Sequence, residues 1–256
     1  RYSINSFTAR KLYFVDKIAG MLSKKVLTGT MAYKEYLVNE FKISPKKVQV
    51  TPLGVDDNLF FPKPKSETNT DRFVIMYHGS YIPNHGVETI IKAAANLSQY
   101  PGLTFRLIGD GEGKSHAMQL ADKLGVENIE FLSKVPFEQL SDCIANSDIV
   151  LGVFGDTSQA RKAMANKILE GLAMQKPVVT GNTMSIRENF KHKEHLWLVP
   201  LADARMLAEA LVLLSEDKKL MTQLAESGCL RVIDRLTPTA VGKDLVDSLH
   251  TMIESQ

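Results

Sequence analysis

The sequence predicts an α/β protein organised on a doubly wound parallel sheet flanked by helices. Two observations carry this. From Arg72 onward, short apolar strands alternate with helical patterns: FVIMYHG (73–79), LTFRLIG (103–109), IEFLS (129–133), DIVLGVF (148–154) and PVVTG (177–181) are each separated by a helix. That alternation is the pattern of right-handed βαβ units. The 256 residues, 44% apolar and 23% charged, also suit a soluble globular chain of one large or two ordinary domains.

In chain order, residues 7–22 read as an amphipathic helix with Leu12, Val15, Ile18, Ala19 and Leu22 on one face. A strand at 25–29, a helix at 31–41 and a strand at 48–52 follow, the last led in by Ser44-Pro45. These few elements cannot bury a sufficient core alone, and they read as the end of a second domain of similar type whose beginning is absent. Residues 53–71, rich in Pro, Lys and Asp, read as a linker. Beyond it, helices are expected at 87–100, 115–124, 138–145 and from Asn166, the last reached through a long loop over 155–165. A last strand at 195–199 precedes helices at 202–215, 218–235 and 239–253. The domains expected are 1–57, 58–236, and a closing helix, 237–256, that packs back toward the first part.

Only two cysteines occur, Cys143 and Cys229, without metal-ligand spacing. A disulfide framework is not expected, and a reducing, cytoplasmic setting is. No window reaches the roughly 18 apolar residues of a membrane span, and no signal peptide opens the chain. It begins at Arg1 rather than Met, which points to a longer polypeptide. Residues 1–50 hold ten Lys or Arg against three Asp or Glu, a net of +7 that leaves −5 for the remainder. A basic end suits an anionic partner, a membrane surface as readily as a nucleic acid; dispersed lysines also suit a merely solvated helix.

The stretch NKILEGLAMQKPVVT (166–180) carries the chemistry. Ile168, Leu169, Leu172 and Ala173 recur at helical spacing, and Asn166 is a good N-cap. The amides of Lys167, Ile168 and Leu169 then point out of a positive helix end, a ready phosphate site. Glu170, one turn in, suits sugar hydroxyls better than phosphate. Read alone, the same stretch also fits an ordinary helix and strand with a solvated Glu170.

In open parallel sheets ligands bind beyond the carboxyl ends of the strands, so three strand-end loops matter. GSYIPNHG (79–86) sets Gly79 and Gly86 about a loop carrying Ser80 and His85. His85 suits a neutral partner for a phosphate oxygen or a structural role, whereas His78 reads as a satisfied core residue. GDGEGK (109–114), with Gly109 and Gly111, lacks the Gly-x-Gly-x-x-Gly spacing, which argues against NAD. The loop before Asn166 carries Arg161 and Lys162; with Lys167, three cations near a helix start suit a diphosphate.

Taken in order, these loops resemble the C-terminal, donor-binding half of a GT-B glycosyltransferase of the retaining family 4 type, glycosyltransferase group 1. LGVDDNLFFP (53–62) is similar to the interdomain linker and HGSYIPNHGVETIIKAA (78–94) to the first glycine loop. RLIGDGEG (106–113) is similar to the Ile-Gly-Asp-Gly turn, and NKILEGLAMQKPVV (166–179) to the Glu-Ala-Met-Ala-x-Gly-x-Pro-Val-Val signature. The resemblance implies a Rossmann-like donor domain and transfer of a sugar, with retained configuration, from a nucleoside-diphosphate donor to a glycan or lipid-linked acceptor. It implies no required metal and a role in cell-envelope polysaccharide synthesis; no nucleic-acid partner is expected, and the basic surface of residues 1–50 suggests peripheral attachment at the inner face of the membrane. Glu170 falls on the second glutamate of the Glu-seven-Glu motif and is expected on the donor ribose. The base, whether of UDP, GDP or ADP, is expected near Lys134 to Phe137, with Val135 central.

Two departures stand out. Lys162 replaces the first glutamate, and Ser80 and His85 replace the usual Arg and Lys of the first loop. Relocation of the diphosphate-binding charge to Lys167, with Lys162 or Arg161, accounts for both. The expected site is therefore Lys162, Lys167 and Glu170 at the chemistry, with Gly79, Ser80, His85, Gly86, Gly109, Gly111, Val135, Arg161, Asn166, Ile168 and Leu169 holding the nucleotide. The chain alone is expected to bind donor without useful transfer; a nucleotide-sugar epimerase, a binding subunit that needs a partner, and a phosphosugar-binding regulatory module are the alternatives.

Overall fold

The opening apolar stretches are too few to close a core. In the computed structural model, which describes residues 7–66 and 72–254, they form helix α1 (Phe7–Leu22), strand β1 (Val26–Thr28), helix α2 (Met31–Asn39) and strand β2 (Val48–Val50). β1 and β2 pair in parallel with Val26 opposite Val48, over a small cluster of Phe41, Ile43 and Val48. Gly20 faces Ile43, whereas Leu12, Val15, Ile18 and Leu22 point outward, 49% to 81% exposed. The apolar face read from the sequence is thus on the outside of this structure.

The runs after Arg72 form β3 (Phe73–His78), β4 (Leu103–Ile108), β5 (Ile129–Leu132), β6 (Ile149–Leu151), β7 (Val178–Gly181) and β8 (Trp197–Val199). All pair in parallel, in the order β5-β4-β3-β6-β7-β8. Near-continuous apolar strands are stable only with both faces covered. Alternation assigns the faces. Ile75 and Tyr77 join one core with α3 (Val87–Asn96), α4 (Lys114–Leu124) and α9 (Ala204–Glu216). Met76 joins the other with α5 (Phe137–Ala145), α7 (Asn166–Ala173) and α10 (Lys218–Arg235). The strand order reverses between β3 and β6, and their helices α3 and α7 lie on opposite faces; such a switch point opens a crevice at the strands' carboxyl ends.

Two local expectations are corrected, and one turn is added. The loop over 155–165 contains α6 (Ser158–Lys162), because Thr157 Oγ1 accepts the Ala160 N–H at 3.0 Å and caps it. A further turn, α8 (Met184–Arg187), is capped in the same way by Thr183. β8 begins at Trp197 rather than His195, whose Nδ1 instead accepts the Lys191 N–H.

The first part docks on these added turns. Thr30 Oγ1 donates to the Lys162 carbonyl at 2.6 Å, and the Glu188 carboxylate accepts the Met31 and Ala32 N–H groups at the start of α2, a favourable place for negative charge. The closing helix α11 (Pro238–Glu254) returns to β2, with Ser248 Oγ donating to Gln49 Oε1 at 2.5 Å.

The turns after β3 and β4 touch through main chain. Gly79 N–H donates to Ile108 O at 2.9 Å, and a Cβ at Gly109, whose φ is +145°, would collide with the Gly79 carbonyl. Gly109→Ala should therefore destabilise the fold by about 2 kcal/mol or more. Gly102→Ala, with open space around it, should lie within about 0.5 kcal/mol of the parent. Urea unfolding of both variants checks the contrast; equal midpoints would contradict it.

Candidate functional site

Helix α7 positions the site by being buried almost all round: Lys167, Ile168, Leu169, Glu170, Gly171, Leu172 and Ala173 are all inside. Its cap is Ala165, not Asn166, which is the first helical residue and exposed. Ala165 is extended, so the helix starts one residue earlier than an Asn166 cap requires. Ile168 N–H donates back to Ala165 O at 3.1 Å. The amides left without an intrahelical acceptor are those of Asn166 and Lys167, and the Ile168 and Leu169 side chains serve the core, 0% and 1% exposed.

Lys167 is 5% exposed. Its ammonium lies 4.1 Å from the centroid of the Tyr77 ring, 3.3 Å from His85 Nδ1, and directly behind Gly79. The ring face attracts the cation. Burial nevertheless pushes its pKa down to about 7, against the pull of Glu170. Burial likewise pushes Glu170 up to about 7, with Lys167 opposing. One turn of helix thus holds an ammonium and a carboxylate that both titrate near neutrality, each in surroundings that disfavour charge.

The His85 ring is neutral. Its Nδ1 lies 2.6 Å from the Ser80 carbonyl and 2.8 Å from the Tyr77 hydroxyl, and Tyr77 in turn donates to Ser80 O at 2.8 Å. A carbonyl accepts only, so the contact at 2.6 Å assigns the ring proton to Nδ1. Burial, then the Lys167 charge, push His85 down to about 4 although the Ser80 carbonyl pulls the other way. With its single proton committed, His85 has none for a phosphate oxygen; what it offers is the acceptor Nε2.

His78, at the end of β3, is 6% exposed, but it is not a satisfied core residue. Its Nε2 is buried without a hydrogen-bond partner among the described residues, and lies 3.4 Å from Glu170 Oε2. His78, Gly79, Ser80 and Gly109 line a cavity of about 360 Å³ whose far wall includes Val135 and Phe137. Asp110 fixes that wall by accepting the Lys134 N–H at 2.8 Å.

The other sequence-predicted residues lie elsewhere. Lys162 donates to Ser158 Oγ at 2.7 Å and lies 4.1 Å from the Tyr36 ring centroid. Arg161 pairs with Asp156. Both are turned away by α6, so Lys167 alone of the three expected cations sits behind the Gly79 turn. Gly86 lines a neighbouring cavity of about 570 Å³ with Glu88 and His116, and Gly111 packs on Tyr81. The sequence reading missed Tyr77 and the orphaned nitrogen of His78; a Tyr-His pair closing a strand next to a glycine turn was the available signal. Among the described residues no group of three or more His, Cys, Asp or Glu is placed to hold a metal, and no helix is long and apolar enough to cross a membrane.

A family model for glycosyl transferases group 1 matches residues 61–230. Among curated proteins, the lipopolysaccharide core biosynthesis glycosyltransferase LpsE of Rhizobium meliloti is 29% identical over 177 residues, 69% of this chain and 49% of that protein. The capsular polysaccharide biosynthesis glycosyltransferase CapM of Staphylococcus aureus is 20% identical over 98% of this chain and 68% of its own length. The chain therefore spans about half to two-thirds of these relatives. Of solved structures, HepE of Anabaena in complex with UDP and glucose superposes with a TM-score of 0.82 at 20% identity, over 97% of this chain and 68% of that one. Sucrose-phosphate synthase of Thermosynechococcus elongatus gives 0.81 at 19%, over 98% and 65%. These likenesses give the fold as GT-B, and with the match over 61–230 the chain belongs to the group 1 glycosyl transferases.

Proposed function

We propose that this chain is the donor-binding half of a retaining glycosyltransferase that moves a sugar from a nucleoside-diphosphate donor to a glycan or lipid-linked acceptor in cell-envelope polysaccharide synthesis. The observation that supports it best is the pairing of Lys167 and Glu170 on one buried turn beside the cavity bounded by the Gly79 and Gly109 turns. In this reading the diphosphate lies at the Gly79 turn and the start of α7, within reach of the Lys167 ammonium. Glu170 accepts from the ribose, and the base rests on the wall formed by Val135 and Phe137. Breaking the bond between the sugar anomeric carbon and the diphosphate oxygen builds charge on the leaving group, which a preorganised ammonium in a dry site stabilises. The names of the relatives support polysaccharide synthesis, and HepE, solved with UDP, supports a nucleotide-sugar ligand.

The exposed apolar residues of α1, Phe7, Phe14, Ile18 and Leu22, flank Arg10 and Lys11. Such a helix suits the interface of an anionic bilayer at the inner face of the membrane. Flotation should carry the protein up with phosphatidylglycerol vesicles and leave it at the bottom with phosphatidylcholine alone; protein at the bottom in both would remove this contact.

A thermal-shift screen of UDP, GDP, ADP and their sugars should find one nucleotide class that stabilises the fold. Calorimetry on that ligand should then show Lys167→Ala binding about tenfold more weakly, about 1.4 kcal/mol. An unchanged affinity rejects the placement of the diphosphate at Lys167.

The pH dependence follows from the two shifted groups. Above about pH 7 the free protein loses the Lys167 proton; binding a diphosphate restores it, so affinity falls as pH rises. Below about pH 7 Glu170 is protonated and must release that proton to accept ribose hydroxyls, so affinity falls as pH drops. A nucleotide sugar, whose diphosphate stays ionised throughout, should bind best near pH 7, with proton uptake on the alkaline side and release on the acid side. Calorimetry in buffers of different ionisation heat measures both, and a flat profile would contradict the assignment.

A further inference from the structure

One buried group at the site has no part in that reading. Along β3 alternate side chains go to opposite faces, so His78 leaves the strand on the side of Met76 and α7 while Tyr77 meets Lys167 and His85 on the other. Its Nε2 has no hydrogen-bond partner among the described residues, which a buried polar atom tolerates only at a cost. Glu170 Oε2 lies 3.4 Å from it. Burial first, and then Lys167 and His85, hold the ring neutral, and Glu170 also faces it. A neutral imidazole has one N–H and one acceptor nitrogen. A buried carboxylate has two oxygens and needs donors on both to stay ionised.

We propose that His78 donates Nε2–H to Glu170 Oε2 when nucleotide is bound, and so positions the carboxylate whose other oxygen takes the ribose hydroxyls. His78 is thus a positioning residue that sets the preference for ribose; this rests on the donor-site reading above. The separation of 3.4 Å closes to hydrogen-bond distance with a small rotation of either side chain, and the charge-assisted bond that results is of the stronger kind. No atom of His78 needs to touch the nucleotide. The orphaned nitrogen and the carboxylate's need for a donor are two sides of one arrangement.

The test is the ratio of affinities for a ribonucleoside-diphosphate sugar and its 2′-deoxy and 3′-deoxy analogues, measured by calorimetry. In the parent protein one deoxy analogue should bind at least tenfold more weakly. His78→Val should lose that preference about tenfold, as removal of a supporting outer-shell partner does. His78→Asn, whose amide reaches only the Nδ1 position, should lose it as well. His78→Gln, whose amide nitrogen falls near Nε2, should keep it within about threefold. A merely structural histidine would weaken ribose and deoxyribose ligands equally, and that result overturns the proposal. So does a preference retained in both His78→Val and His78→Asn, or lost in His78→Gln too. If His78→Val fails to fold, the Asn and Gln pair decides alone. The donor-site reading fails separately: no ribose preference in the parent protein, or one that Glu170→Ala leaves intact, removes Glu170 from the ribose whatever His78 does.

Discussion

The site depends on the burial of two opposite charges three residues apart on a helix that has almost no exposed surface. Taking an ammonium and a carboxylate out of water costs several kcal/mol each. Lys167 and Glu170 bear that cost with little help from direct hydrogen bonds. Lys167 has the Tyr77 ring at 4.1 Å and Glu170 has His78 at 3.4 Å, and both pKa values are displaced toward neutrality. In the proposed reading, an anionic, hydroxyl-rich ligand would bring negative charge to Lys167 and hydrogen-bond donors to Glu170.

The sheet supplies the rest. β3 and β6 lie side by side at the centre, and their helices leave to opposite faces. The turns after β3 and β4 can therefore press together, and they do so through glycine backbone at Gly79 and Gly109. The same closeness puts Gly79 against the Lys167 ammonium. A side chain at Gly79 would occupy the space between the ammonium and the cavity. In the proposed donor site, the missing Cβ leaves room for a phosphate beside both the turn and the cation.

Much of this was legible in the sequence, and what was not has identifiable causes. Strand and helix order followed from the alternation of apolar runs, and Glu170 and Lys167 from their place after a strand-end loop. α6 was hidden because Ser-Gln-Ala-Arg-Lys is too short for any periodicity; its signal was the Thr157 cap. That short helix then decided the fate of Arg161 and Lys162, whose side chains turn to Asp156 and Tyr36. Counting cations near a helix start therefore overstated the local charge. Asn166 was misplaced by one residue because a good capping residue is also tolerated at the first helical position. The orphaned His78 nitrogen was illegible in principle: whether a buried imidazole is satisfied depends on neighbours 92 positions away in the chain, as Glu170 is.

α6 also links parts that the sequence read separately. Its last carbonyl, that of Lys162, accepts from Thr30 in the first part of the chain. Ser185 of α8 donates to the Arg161 carbonyl, and the Thr157 cap donates to Asn84 Oδ1 in the turn that carries His85. Four residues after Lys162 the chain enters α7. The docking of the first part, the His85 turn and the start of α7 thus share one short segment. Short, locally hydrogen-bonded segments sit at the low end of local stability, so α6 is the element through which the two parts of the chain and the donor site are mechanically joined.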